Sequence, residues 1–332
     1  MKKFMAMAMA MVMTAMALTG CGGGSAESEA EGEAASGDIP VIGISQYGQH
    51  PSLDNCREGF LLGLEESGLV EGKDFEIDYQ NAGFDDNVTI QIAQNFSSKN
   101  VDLMCGIATN AATACYAAAE DKDIPVIFTA ITDPVKANLD SGNVTGTCDK
   151  LPIDGQLELI RKVQPDAKTI GIIYITSEPN SVSAVEEYKE KADKYGFEIE
   201  AIGVTQQSEV VQAADTLISK GVDCFTNLTD NNVVGVLASI LEKTNEAKIP
   251  VYGSEIEQVK NGCVASAGLE YVALGKKTGE MAAKILKGEA MPEDMPYETI
   301  EDFEICYNSE AMTALGLDGS VLTDGRDVAG EE

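Results

Sequence analysis

Across residues 39–269 the sequence alternates short, almost unbroken apolar runs with amphipathic stretches, and it does so twice, with one interruption. "IPVIGIS" is followed by "PSLDNCREGFLLGLEESG", in which Leu53, Phe60, Leu61 and Leu64 recur at helical spacing. "VDLMCGIA" has the pattern of a parallel strand covered on both faces. Such a β-α-β-α order predicts a parallel sheet with right-handed crossovers. The rhythm breaks at the Gly/Asn/Thr-rich residues 141–152 and restarts at "TIGIIYIT". "IPV" recurs at Ile39, Ile124 and Ile249, each time opening a strand, with Pro where no ladder donor is needed. The fold class is therefore α/β: two Rossmann-like lobes with parallel sheets joined by a hinge.

Residues 39–147 plus 264–290 are expected to form the N-terminal lobe, and 148–263 plus 291–317 the C-terminal lobe. Late segments that cross back give three crossings, which stiffen a hinge while permitting closure. The acidic, Gly-rich residues 318–332 are expected to be a loosely ordered tail.

The opening residues tell a separate story. Lys2 and Lys3 precede the uncharged "FMAMAMAMVMTAMAL", which fits the apolar region of an export signal and is too short to span a bilayer comfortably. "LTGC" then has the form of a bacterial lipobox, which makes residues 1–20 a lipoprotein signal peptide and Cys21 the lipidated mature N-terminus. Residues 21–38 are acidic and poor in apolar side chains, a flexible tether. The expected location is extracytoplasmic, anchored to the cell membrane by lipid.

Charge narrows the function classes. With 55 acidic residues against 23 basic ones, the chain carries a formal charge of −32, which repels nucleic acid and anionic lipid. Cys56, Cys105, Cys115, Cys148, Cys224, Cys263 and Cys306 are odd in number and irregularly spaced, which argues against a complete disulfide framework. No CxxC occurs and His50 is the only histidine, so neither a zinc site nor another metal or cofactor site is expected. No GxSxG elbow, P-loop or strand-linked GxGxxG is present either, and no enzyme is expected.

Ligands of open parallel sheets bind beyond the carboxyl ends of the strands. The segments at those ends are "SQYGQHP", "ATNAA" and "TAITDP" in the first lobe, and "ITSEPNS", "LTDNN" and "GSEIE" in the second. All six are polar, and five run into helix starts, where free N–H groups favour a carboxylate. The candidate ligand-binding residues are Gln46, Tyr47, His50, Thr109, Asn110, Thr129, Thr132, Asp133, Ser177, Asn180, Ser181, Asp230, Asn231 and Glu255. Taken singly, Thr109, Asn110, Ser181, Asp230 and Asn231 also read as helix caps, Asp133 as a turn former, and His50 as a surface helix-start residue. Glu178 reads as a solvated helix-start acid. Together the loops point to a cleft between lobes that suits a zwitterion: hydroxyls and amides for a carboxylate, and Asp133, Asp230 or Glu255 for an ammonium. Tyr47, Phe84, Phe128 or Tyr174 could flank an apolar or aromatic side chain.

Taken together, "IGISQYGQHPSLDNCREGF", "GLVEGKDFEIDYQNA", "VIFTAITDPVKANL", "GNVTGT", "IGIIYITSEPNSV", "IPVYGSEIEQVKNGCVASAG" and "YVALGKKTGEMAAKILKG" resemble the substrate-binding lipoproteins of ABC importers of the tryptophan/tyrosine-binding type. The resemblance covers residues 39–288. It implies a type I periplasmic-binding-protein fold, closure of two lobes on a small ligand, with an aromatic amino acid favoured, and delivery to ABC permease and ATPase subunits. It also implies that residues 45–51, 108–111, 129–134, 177–181, 229–231 and 254–255 line the cleft. A lipoprotein that presents its ligand to a membrane receptor has the same sequence signature, and a nucleoside or small peptide remains open as cargo.

Overall fold

The computed structural model describes residues 39–300 and 303–331. The signal, Cys21 and the tether lie outside the described residues. The first half runs β1 (Val41–Gln46), α1 (Pro51–Glu66), β2 (Glu76–Asn81), α2 (Asp86–Lys99), β3 (Leu103–Ile107), α3 (Thr109–Ala119), β4 (Val126–Ile131) and β5 (Val144–Cys148). The second half runs α4 (Ile153–Val163), β6 (Thr169–Ile175), α5 (Pro179–Lys191), β7 (Glu198–Val204), α6 (Val210–Lys220), β8 (Cys224–Thr226), α7 (Asn231–Val234), α8 (Leu237–Glu246), β9 (Val251–Tyr252), α9 (Ile256–Lys260) and β10 (Ala265–Gly268). After it come α10 (Tyr271–Leu286), β11 (Glu298–Thr299), β12 (Glu304–Tyr307), α11 (Ser309–Leu315) and β13 (Arg326–Asp327).

The first lobe is a parallel sheet of order β11-β5-β4-β3-β1-β2. The central strands are apolar on both faces because both faces are covered: α1 and α10 pack on one side, α2 and α3 on the other. The second lobe has the parallel order β7-β6-β8-β9, with α4, α5 and α11 on one face and α6, α8 and α9 on the other. Backbone bonds from Gly253 to Ala265 (2.9 Å) and from Val264 to Val251 (2.8 Å) extend that sheet to β10, which continues to β12 and β13.

Two expected boundaries move. Residues 264–268 belong to the second lobe's sheet, so the chain returns to the first lobe after Gly268, and residues 298–299 stay there through pairing of β11 with β5. Apolar periodicity marks a strand without stating which sheet it joins; the buried backbone of β9 requires a neighbour, and β10 supplies it. The tail is also not loose. β13 pairs with β12, Val328 is fully buried, and Leu322 fills the second lobe's core.

α10 is fastened to α1 by four glycines. A Cβ on Gly59 would lie 2.1 Å from the Val272 carbonyl, and one on Gly275 would lie 2.0 Å from the Cys56 carbonyl, with Gly63 and Gly279 equally close-packed. The helix backbones therefore touch, which fixes where the chain re-enters the first lobe. All seven described cysteines are buried free thiols, and burial pushes those of Cys56 and Cys105 well above the ordinary thiol range.

Candidate functional site

In the first lobe the loop after β1 turns so sharply that a Cβ on Gly48 would lie 1.9 Å from the Phe84 ring. Phe84 thereby meets Tyr47 edge-on at 5.9 Å between centroids, and lies parallel to His50 at 6.4 Å. The Tyr47 hydroxyl donates to Asp86 Oδ1 at 3.0 Å, and Asn110 Nδ2 donates to the same oxygen at 2.8 Å. Gln46 is turned into its own lobe, where Nε2 donates to the Gly48 carbonyl (2.8 Å) and Asp54 (2.9 Å). Thr129 is also internal, 3.3 Å from Thr147 and 3.7 Å from Cys56 Sγ. Phe128 is buried in the core beneath α2 and α3, and Tyr174 packs on the second lobe's core, so neither flanks the cleft. Ala108 at φ 77° and Ala130 at φ 58° hold left-handed backbone at the ends of β3 and β4, strain concentrated where the loops enter the cleft.

In the second lobe Glu178 overturns its expectation as a solvated acid. It is 0% exposed, and its carboxylate gathers four N–H groups: Asn231 N (2.9 Å) and Nδ2 (2.8 Å) on Oε2, Asn232 N (3.0 Å) and Nδ2 (2.7 Å) on Oε1. Asp230 is equally buried. It accepts from the backbone of Ile175 (2.7 Å) and Val233 (3.0 Å) and from the Ser181 hydroxyl, while burial and the neighbouring Glu178 charge push its carboxyl well above the usual range. Its oxygens are thus committed within one lobe. Asp133 caps Lys136 N at 3.1 Å and accepts from Ser183 across the lobes at 2.7 Å. Asn180 donates to the Thr229 carbonyl at 3.0 Å, and Ser177 is exposed on the rim.

The lobes are closed on each other. His50 Nε2 and Asn231 Oδ1 are 3.2 Å apart, Thr132 and Thr229 hydroxyls 3.3 Å, and Asn55 Nδ2 donates to Glu257 at 3.2 Å. Between them lies a cavity of about 10 Å³, whose lining includes His50, Ser52, Asp149, Thr229, Glu255 and Tyr271. It adjoins a groove of about 250 Å³ that shares His50, Ser52 and Glu255. On the other side of the Tyr47–Asn232 contact an outer groove of about 630 Å³ opens to solvent.

Asp149 is the member that sequence reading missed. It follows β5 inside the segment read only as a hinge, is 2% exposed, and accepts from Thr132 (2.9 Å) and from the Tyr271 hydroxyl (2.6 Å). Burial pushes its carboxyl up to about 6, against the pull of those two donors. Glu255, also 2% exposed, caps α9 through Glu257 N (2.7 Å) and Gln258 N (2.9 Å), and burial raises it to about 7. Burial has the opposite sign for His50 and lowers it to about 4. Three buried polar atoms of the expected residues have no partner among the described residues: His50 Nδ1, Thr109 Oγ1 and Asn180 Oδ1. No signal in the local sequence separates Asp149 from the other acids; its burial depends on Tyr271, more than a hundred residues away.

Residues 41–323 match the family described as ABC transporter substrate binding protein. A tyrosine-binding protein of Clostridioides difficile (strain R20291) is 42% identical over 282 residues, 83% of this chain and 81% of that protein. Among solved structures, an ABC domain in complex with L-Trp from Streptococcus pneumonia superposes with a TM-score of 0.82 at 34% identity, covering 86% of this chain and 98% of that one. The ligand-free, open structure of a substrate-binding protein from Clostridium difficile, at 40% identity and coverage of 88% and 99%, reaches 0.66. The chain is closer in sequence to the open protein and closer in shape to the L-Trp complex.

Proposed function

Because the chain belongs to the family of ABC transporter substrate-binding proteins, we propose that it captures a free aromatic amino acid outside the cytoplasm and delivers it to the permease of an ABC importer. The observation that carries the reading is a closed interlobe cleft in which buried polar atoms without partners stand beside an aromatic group. Thr109 Oγ1 and Asn180 Oδ1, one from each lobe, lack partners among the described residues, while Tyr47, Phe84 and His50 form a cluster of rings in the loops of the first lobe. Buried polar groups are almost always hydrogen-bonded, so such atoms call for a ligand. The names of the tyrosine-binding relative and of the L-Trp complex support an aromatic cargo.

Binding by one lobe followed by closure explains the division of residues. Contacts from the second lobe form only when the cleft shuts, and that differential affinity favours the closed state. Cys21 holds the protein to the membrane through lipid, so that cargo is released near its permease. The chain has no tryptophan, so the emission of bound tryptophan can be told from that of the protein's tyrosines, and calorimetry reads every ligand. Purified protein titrated against the twenty amino acids is expected to show saturable one-to-one binding of tyrosine, tryptophan or phenylalanine. Silence for all three would sink the aromatic reading. Cys21→Ala is expected to move the protein from membrane to medium, and continued membrane association without an acyl label would refute the anchor.

A further inference from the structure

Resting on the reading of the cleft as a ligand site, we propose that the ligand's positive charge is held by Asp149 from the first lobe and Glu255 from the second, with neutral His50 Nδ1 as a third acceptor. Both carboxylates line the same central cavity. Neither takes part in any ion pair among the described residues. Each oxygen of Asp149 accepts one hydroxyl and retains a free lone pair. Asp230 and Glu178 are unsuited to the task, because neither lines this cavity and each oxygen of Glu178 already accepts two N–H groups of its own lobe.

The independent observation is the state of His50, which is 9% exposed. Asn231 donates both its backbone N–H and its Nδ2 to Glu178, which orients Oδ1 toward His50. An amide oxygen only accepts, so His50 Nε2 carries the proton and Nδ1 is a bare acceptor. Nδ1 is buried and has no partner among the described residues. Two carboxylates and an imidazole lone pair, all accepting, surround a space of about 10 Å³, which suits a donor-only group the size of one water, such as an ammonium.

The arrangement also accounts for closure. Shutting the empty cleft buries two carboxylates without a counter-charge, whereas shutting it on an ammonium pairs both. Since one acid comes from each lobe, the full charge site exists only in the closed form.

The test uses calorimetry with L-tyrosine, L-tryptophan and L-phenylalanine, and with their des-amino analogues, the corresponding 3-arylpropanoates. Asp149→Asn and Glu255→Gln, measured separately, keep size and remove charge, at the cost of one acceptor oxygen each. Each is expected to weaken the amino acid about 10- to 100-fold, the range for a charge-assisted hydrogen bond, while changing the des-amino analogue less than about threefold. Retained analogue binding also reports that the variant is folded. Equal losses for both ligands, or no loss for the amino acid, overturn the proposal. If the wild type binds no aromatic amino acid, that reading fails by itself, and the other amino acids and simple primary amines decide the charge site. Binding of one of these, lost in both variants, upholds it; binding only of ligands without an amine, or of none, overturns it.

Discussion

Glu178→Gln isolates a fully buried polar commitment of the second lobe. Four N–H groups converge on the Glu178 carboxylate, two per oxygen, in a fully buried setting. A glutamine offers one oxygen, and its amide nitrogen then faces two of the four donors. Each buried donor left without an acceptor costs about 1–3 kcal/mol, a loss of about 2–6 kcal/mol. The opposing effect is relief of Asp230, whose carboxyl the Glu178 charge helps to push up; one unit of such relief is worth about 1.4 kcal/mol. Lost hydrogen bonds win, leaving a net destabilisation of about 1–5 kcal/mol near neutral pH. Asn231 and Asn232 also lose the anchor that aims them at His50 and Tyr47 across the cleft, so ligand affinity falls with stability. Urea unfolding followed by circular dichroism reads the first effect and calorimetry the second. An unfolding midpoint unchanged from wild type, with ligand affinity intact, would refute the assignment of Glu178 as the organiser of this half of the cleft.

Two further outcomes follow from packing and titration. Gly275→Ala sets a methyl 2.0 Å from the Cys56 carbonyl, and overpacking of about 3 kcal/mol exceeds the ~1 kcal/mol gain in helix propensity, so thermal unfolding should show a net loss of about 2 kcal/mol; a stabilised variant contradicts the backbone contact of α1 with α10. Acid should weaken ligand binding through His50: burial in the closed protein lowers its value from the ordinary 6.5 to about 4, and opening that returns the ring to water is expected to restore the ordinary value. The stability of the closed form is therefore complete above pH 6.5 and is lost as pH falls toward 4, about 30-fold in affinity by pH 5. Asp54 on α1 is the charged neighbour of the ring, and Asp149 and Glu255 line the same cavity; protonating the latter two removes ammonium partners and acts in the same direction. Affinity that is flat from pH 7 to 5, measured by calorimetry, would contradict closure around a neutral His50.

Much of the fold was legible because its signal is local. A strand covered on both faces must be apolar throughout, and "VDLMCGIA" and "TIGIIYIT" became β3 and β6 for that reason. The five loops read as helix starts became the starts of α1, α3, α5, α7 and α9. Strand partnership was not legible. "ASAG" carries nothing that says β10 joins β9 and β12 rather than the first sheet, and the acidic composition of the tail hid the pairing of β13 and the burial of Val328. Of the candidate residues, the structure brings His50, Thr132, Asp133 and Asn231 to contacts between lobes, and turns Gln46 and Thr129 inward.

What the sequence by itself determined is therefore periodic and local: two runs of β-α units, polar loops at the strand ends, and a family resemblance spread over nearly the whole alternating region. Which acids matter was decided by tertiary structure. Glu178 and Asp149 look like any other acids among 55, and only the closing of segments some fifty and a hundred and twenty residues away buries them. The burial of a charge is a property of everything that displaces water from it, and no stretch of chain contains its own surroundings.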